Sequence, residues 1–401
     1  MRTARGVLPC QSAPYPQCVT TRLIGATVAP DGGRVDWVRD LPALFDIREA
    51  YVTPDGGTLA YLGTSLATGP GIYLHDIATG RTTTIAPFHG ATFLLGNPVR
   101  PEVYLFDNTG ATVLSPAGTR RIDLPCRPIA RPGISADGTR ASVWVSCGAL
   151  PVGTLGTIVF DIATGAVVST QPYYGKVSAD GGVLVTRDSA DGVFLLQRRD
   201  AVTGQPLTEV TNPGFELIVD HGTGDVISYN RGSSAHLMDG VTLGAKWSTM
   251  FGSSGASNGP EPVIDPANGM LFAATDSGGV YMADTRGRRL LGWVPFPASG
   301  WAQLAVGPPA PRAPTGLAST VTGRAVTLSW NANGPPAAIT RHVLDAGSAP
   351  GLSDIFSGLD VGPQTSFSAS GVPPGTYYVR VRAGNFTGLS SPSNEVVVQV
   401  P

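Results

Sequence analysis

Lysine is almost missing from this chain. Of 27 basic residues, only Lys176 and Lys246 are lysines, and the rest are arginine. Charged residues of every kind make up 14%, and the formal net charge is −2. So even a balance excludes the basic surface that general nucleic-acid binding or an anionic membrane needs. The arginine bias fits GC-rich bacterial coding better than an arginine-dependent function. Long apolar runs are missing too. No stretch of 18 apolar residues occurs, so no membrane-inserted segment is expected. The N-terminal MRTARGVLPCQSAPYP has no apolar core, so no signal peptide is expected in the sequence as it stands.

Catalytic signatures are missing as well. There is no G-x-S-x-G elbow, no H-E-x-x-H, no phosphate loop and no dinucleotide fingerprint. None of the four cysteines has CxxC or Cys/His spacing, which argues against zinc. His75, His89, His221, His236 and His342 follow no fixed period, so a ring of metal-holding histidines is not expected. No cofactor is expected. A loop calcium site is possible at Asp188 and Asp191, whose spacing lacks the full EF-hand pattern.

Turns are plentiful. Glycine (52) and proline (35) are abundant while hydrophobic content stays at 42%, which fits short strands around a proper core. The stretch Thr157–Gln171, TIVFDIATGAVVSTQ, shows the unit: apolar strand, Asp-x-x-Thr-Gly turn, return strand. In that turn Asp accepts local N–H groups and Gly takes the positive φ. Similar turns lie near Asp31, Asp76, Ser115, Asp161, Asp200, Asp239 and Asp284, spaced by 45, 39, 46, 39, 39 and 45 residues. A second ladder, at Asp55-Gly56, Asp137-Gly138, Asp180-Gly181, Thr223-Gly224 and Asn268-Gly269, lies between them.

Four short strands per 40–45 residues is the period of a β-propeller blade. The stretches PDGGTLAYL, GIYLHDIATGRTTTIAP and GVYMADTRGRRLLGWVP resemble bacterial YVTN and quinoprotein-like propeller repeats. The resemblance implies an all-β propeller of seven blades, with six as the alternative, over residues 1–307. The last blade would be composite. Its first strand would be Ala302–Val306, its second near Gly6–Pro9, its third Arg22–Ala29 and its fourth Arg34–Val38. On this map Cys126 and Cys147 fall in loops of one face and can bond, leaving Cys10 and Cys18 to pair locally. Free buried thiols are the alternative. Two disulfides would imply an oxidising compartment, extracellular or periplasmic.

GPPAPRAP, within 307–314, is a proline-rich linker. Residues 315–401 follow a different pattern. Val326, Leu328 and Trp330 alternate on one strand, Tyr377 follows Pro-Pro-Gly-Thr, and Val379, Val381 and Ala383 alternate behind it. This resembles a bacterial fibronectin type III β-sandwich, with Trp330 as core tryptophan and Tyr377 at the tyrosine corner.

Ligands of propellers sit at the channel mouth, lined by the loops between blades and between second and third strands. Candidate binding residues there are Tyr173, Tyr174, Arg187, Asp188, Asn230, Arg231 and Trp301, with the loop 251–260, Asp276 and Phe296 nearby. Aromatic rings with arginine and asparagine suit sugar stacking or protein hot spots. The expected role is an extracellular or cell-surface protein that binds a glycan or another protein. The alternative is a secreted propeller enzyme: a lyase, a glycan hydrolase or a quinoprotein-like oxidoreductase. The missing motifs lean against an enzyme.

Overall fold

The Asp-x-x-Thr turns fold as their side chains dictate. Asp76 accepts the backbone N–H of Thr79 at 2.7 Å and its hydroxyl at 2.9 Å. Asp161 does the same for Thr164, Asp200 for Thr203 and Asp239 for Thr242. These N–H groups hold the carboxyls of Asp76, Asp161 and Asp200 below the usual range. The residue four beyond the Asp has positive φ, 76° at Gly80 and 73° at Gly204.

Two turns fill that position without glycine: Leu243 at φ 57° and Arg288 at φ 52°. Leu243 is fully buried among Val185, Leu196 and Leu217, so trimming it would lose more packing than the backbone would gain. Arg288 is exposed. Arg288→Gly is therefore expected to raise stability by about 0.5–1 kcal/mol, read by urea denaturation. A loss would show that the guanidinium carries a contact worth more than the backbone strain.

The computed structural model describes residues 2–8, 20–29, 32–42, 44–65, 69–87, 93–148, 154–190, 193–211, 214, 216–230, 234–251, 261–266, 269–274, 279–295, 303–307, 311–334, 339–385 and 388–401. They fall into two compact units, Met1–Thr53 with Thr58–Gly307, and Pro308–Pro401 with Pro54–Gly57. The first unit is all-β and propeller-like, a succession of antiparallel sheets.

Sheet I joins Gln303–Val306 to Arg2–Leu8, Thr20–Ala29 and Gly32–Pro42. This is the composite sheet expected from the sequence, with its second strand at Arg2–Leu8 rather than near Gly6–Pro9. Sheet II runs Leu44–Val52, Thr58–Ser65, Gly69–Asp76, Thr82–Pro87. Sheet III runs Phe93–Gly96, Val103–Asp107, Gly110–Ser115, Gly118–Asp123. Sheet IV has a first strand in two pieces, Arg127–Pro128 and Gly133–Ile134, then Arg140–Cys147, Thr154–Asp161 and Val167–Gln171. Sheet V runs Tyr174–Val177, Val183–Ala190, Val193–Asp200, Pro206–Thr211. Sheet VI runs Glu216–Val219, Val226–Asn230, Ser234–Met238, Ala245–Met250. Sheet VII runs Val263–Asp265, Met270–Ala274, Gly279–Asp284, Arg289–Pro295.

The core lies between sheets rather than inside one. Phe106 and Val113 of sheet III pack on Val143 and Phe160 of sheet IV, and Tyr229 and Leu237 of sheet VI on Leu271 and Ala283 of sheet VII. Each fully buried Phe or Leu contributes about 1.5–3 kcal/mol. The first strand of sheet I lies against the first strands of both sheet II and sheet VII, so the two ends of the unit meet there. Cys126 and Cys147 are disulfide-bonded, Cα–Cα 4.7 Å, just ahead of the first strand of sheet IV and at the end of its second. Cys10 and Cys18 lie outside the described residues.

The second unit has one sheet of Thr315–Thr322, Ala325–Asn331 and Ser366–Ala369. The other contains Phe356–Gly362, Arg341–Gly347, Gly375–Asn385, Gly388–Leu389 and Val396–Val400. Its core includes Leu328, Trp330, Leu344, Val379, Val381 and Val398. The Tyr377 hydroxyl donates to Pro373 O at 2.8 Å.

Candidate functional site

The first strands of sheets III and V leave a row of backbone groups unpaired within their own sheets, and side chains of the preceding sheets satisfy several of them. Ser142 Oγ of sheet IV accepts Val177 N–H at 2.9 Å. Thr157 Oγ1 accepts Gly175 N–H at 3.0 Å and donates to Tyr173 O at 2.6 Å. Glu49, in the first strand of sheet II, does the same for Leu94 N–H of sheet III. Its other oxygen does something different.

Arg131 Nε donates to Glu49 Oε1 at 2.6 Å, and Arg131 Nη1 to Glu261 Oε2 at 2.6 Å. Arg131 lies between the two pieces of the first strand of sheet IV, and Glu261 lies two residues ahead of the first strand of sheet VII. One guanidinium thus ties sheets II, IV and VII together. The sequence explains its position: Pro128 and Pro132 carry no N–H for the ladder, and the strand breaks between them. The break carries Arg131 off the ladder and leaves Pro132 O to be approached by Lys176 Nζ, 3.4 Å away. Lys176, in sheet V, is 4.0 Å from Glu261 Oε1.

The two carboxyls are pushed apart. Burial raises Glu49 against the pull of Arg131 and of the Leu94 N–H. Burial would raise Glu261 as well, but Lys176 and Arg131 outweigh it and hold that carboxyl below its ordinary range. Burial lowers Arg131, and the two carboxylates more than reverse that.

Tyr174 opens sheet V two residues before Lys176, so both lie on one face of the strand. Its ring meets Trp144 edge-on at 5.8 Å, and its hydroxyl donates to Glu216 Oε2 of sheet VI at 3.4 Å. Arg187, directly across in register, places its guanidinium 5.4 Å from the ring centroid. Burial and Glu216 push the Tyr174 phenol up.

Of the residues singled out from sequence, Tyr174 and Arg187 thus come together. Tyr173 lies apart from them, covered by Arg199, whose guanidinium carbon is 3.8 Å from the ring centroid. Asn230 Nδ2 donates to Ser234 Oγ within sheet VI. Arg187 and Asp188 were expected in a loop. They lie inside Val183–Ala190 instead, because the strand continues by pairing with Val193–Leu196. Phe251 packs in the core against Tyr281. Asp191, Arg231, residues 252–260, Asp276, Phe296 and Trp301 lie outside the described residues.

Glu49, Arg131, Lys176, Glu216 and Glu261 were missed from sequence. A signal existed for one of them: Lys176 is a lysine where nearly every other base is arginine. Among the described residues, no group of three or more His, Cys, Asp or Glu is placed to hold a metal. No described helix is long and apolar enough to cross a membrane.

No family model matches the sequence, and no curated protein matches it. Among solved structures the chain is similar to dihydro-heme d1 dehydrogenase NirN in complex with DHE. The identity is 14% over 74% of this chain and 68% of that one, with a TM-score of 0.43. It is also similar to Kuenenia stuttgartiensis hydrazine synthase, at 16% identity over 64% of this chain and 88% of that one, TM-score 0.44.

Proposed function

We propose that this is an extracellular or cell-surface binding protein, a seven-bladed propeller followed by a fibronectin type III module. It takes a glycan or a protein where the first strands of the sheets begin. The observation that carries the reading is the Tyr174 group. An aromatic ring, a carboxylate from the next sheet and a guanidinium meet there, two residues ahead of Lys176 on the same strand. Such a set offers one apolar face and several directed polar partners, which is how a binding site fixes orientation. The opposite ends of the sheets carry short Asp-x-x-Thr turns whose residues are accounted for by their own backbone bonds. The Cys126–Cys147 disulfide is compatible with an oxidising setting.

A glycan array and a pull-down against bacterial surface material would sample both ligand classes. Tyr174→Ala and Arg187→Ala are expected to abolish capture, whereas Thr79→Ala and Thr164→Ala leave it intact and lower the melting temperature only slightly through the lost turn bonds. Loss in the threonine variants alone would put the site at the wrong end.

A further inference from the structure

Among the described residues, Lys176 is a buried cation with few partners. Only 8% of the residue is exposed, and within that set its ammonium reaches Pro132 O at 3.4 Å and no carboxylate oxygen closer than Glu261 Oε1 at 4.0 Å. An ammonium has three N–H donors, and burying them without good acceptors is costly. The side-chain stem runs over Gly133, where a Cβ would stand 3.0 Å from Lys176 Cδ and displace it. Glu261, the nearest carboxylate, is already engaged by Arg131. Around this ammonium stand Glu261 and Arg131, and Tyr174 precedes it on the same face with Glu216 at its hydroxyl.

We infer that Lys176 receives a carboxylate of the ligand, so that the glycan bound at this end of the sheets is an acidic one built from uronic acids. This rests on the binding reading above and names its substrate class. A carboxylate bonded to Lys176 supplies the acceptors that Pro132 O and Glu261 provide only at long range. A uronate unit brings several hydroxyl donors beside each carboxylate, whereas an acidic peptide brings a single backbone N–H per residue together with a carbonyl acceptor. Against the carboxylates of Glu216 and Glu261 the sugar therefore offers more donors and is the better match in hydrogen-bond sense.

The test is calorimetric titration of the full chain with oligomers of galacturonate, mannuronate and glucuronate. Neutral oligomers of the parent sugars and an oligoglutamate peptide complete the set. At least one uronate is expected to bind about 10- to 100-fold more tightly than its neutral counterpart, the worth of a hydrogen bond to a charged group. That preference should fall with added salt. Lys176→Met, which keeps the stem, should erase the preference, and Lys176→Arg should retain most of it. Equal binding of acidic and neutral oligomers, or a preference untouched by Lys176→Met, overturns the inference. If Tyr174→Ala still abolishes neutral binding, the binding reading itself survives. Tighter binding of oligoglutamate than of any uronate overturns the glycan class, and no binding of any probe overturns the inference altogether.

Discussion

Replacing Arg131 with alanine is expected to cost the first unit about 3–5 kcal/mol, because the change leaves two buried carboxylates without their shared cation. Glu49 and Glu261 each sit 2.6 Å from a nitrogen of that guanidinium, and both are largely withdrawn from solvent. The sequence separations they bridge, 82 and 130 residues, mean that the loss falls on contacts between distant sheets. Arg131→Lys should fall between, since an ammonium cannot present the planar fork that reaches both partners. The triple change Arg131→Met, Glu49→Gln, Glu261→Gln should recover part of the loss, because the neutral groups of similar size need no counter-charge while buried Lys176 loses its nearest carboxylate. Urea denaturation reads all three.

The sign with pH is also fixed. In the alanine variant Glu49, already raised by burial, keeps only the Leu94 N–H against it, while Lys176 still pulls on Glu261. The protonated form of Glu49 then favours folding, and the stability this gives is present at low pH and lost as pH rises through its raised value. The deficit against the parent protein should therefore shrink toward acid pH. A deficit under about 1 kcal/mol at neutral pH would mark the bridge as solvated, the range of exposed ion pairs.

What could be read from the sequence, and what could not, follows from the range of the interactions. The Asp-x-x-Thr turns were legible because every bond in them spans two to five residues. Asp76, Asp161, Asp200 and Asp239 all behave alike. Strand faces were legible only where one side of a sheet is open. In Ala325–Asn331 the even positions Val326, Leu328 and Trp330 are buried and the odd ones exposed, as the alternation predicts. In sheet IV, Ile158, Val159 and Phe160 are all fully buried, because neighbours cover both faces and the period of two disappears. The composite sheet was legible by leftover strands. Its second strand, RTARGVL, lacks an alternating pattern and was misplaced by a few residues. The charged interior was not legible at all. Nothing local marks Glu49, Arg131 and Glu261 as partners, and only the arrangement of whole sheets brings them together.

Removing the Cys126–Cys147 bond is the second large effect. The bond closes a loop of 21 residues, and on the chain-entropy account its loss costs about 3 kcal/mol. Its place suggests that the cost does not end with the unfolded chain. Cys126 precedes Arg127–Pro128, the first piece of the broken strand, and Cys147 closes the second strand of the same sheet. Between the two pieces of that broken strand, Ile129 N–H bonds to Trp144 O at 2.8 Å, and little else of the ladder is left. The disulfide therefore anchors the segment from which Arg131 reaches Glu49 and Glu261. The double variant Cys126→Ser, Cys147→Ser is expected to lose about 3 kcal/mol in denaturant, and mass spectrometry of a non-reducing digest of the parent protein should show the linked peptides. Combining it with Arg131→Ala should cost less than the two losses added, because both act on one segment and coupled neighbours depart from additivity by about 0.5–3 kcal/mol. Strict additivity would mean that the bond constrains only the unfolded chain and leaves Arg131 to be positioned by its carboxylates. Unchanged stability after reduction would show that Pro128 and Pro132 hold the segment without it.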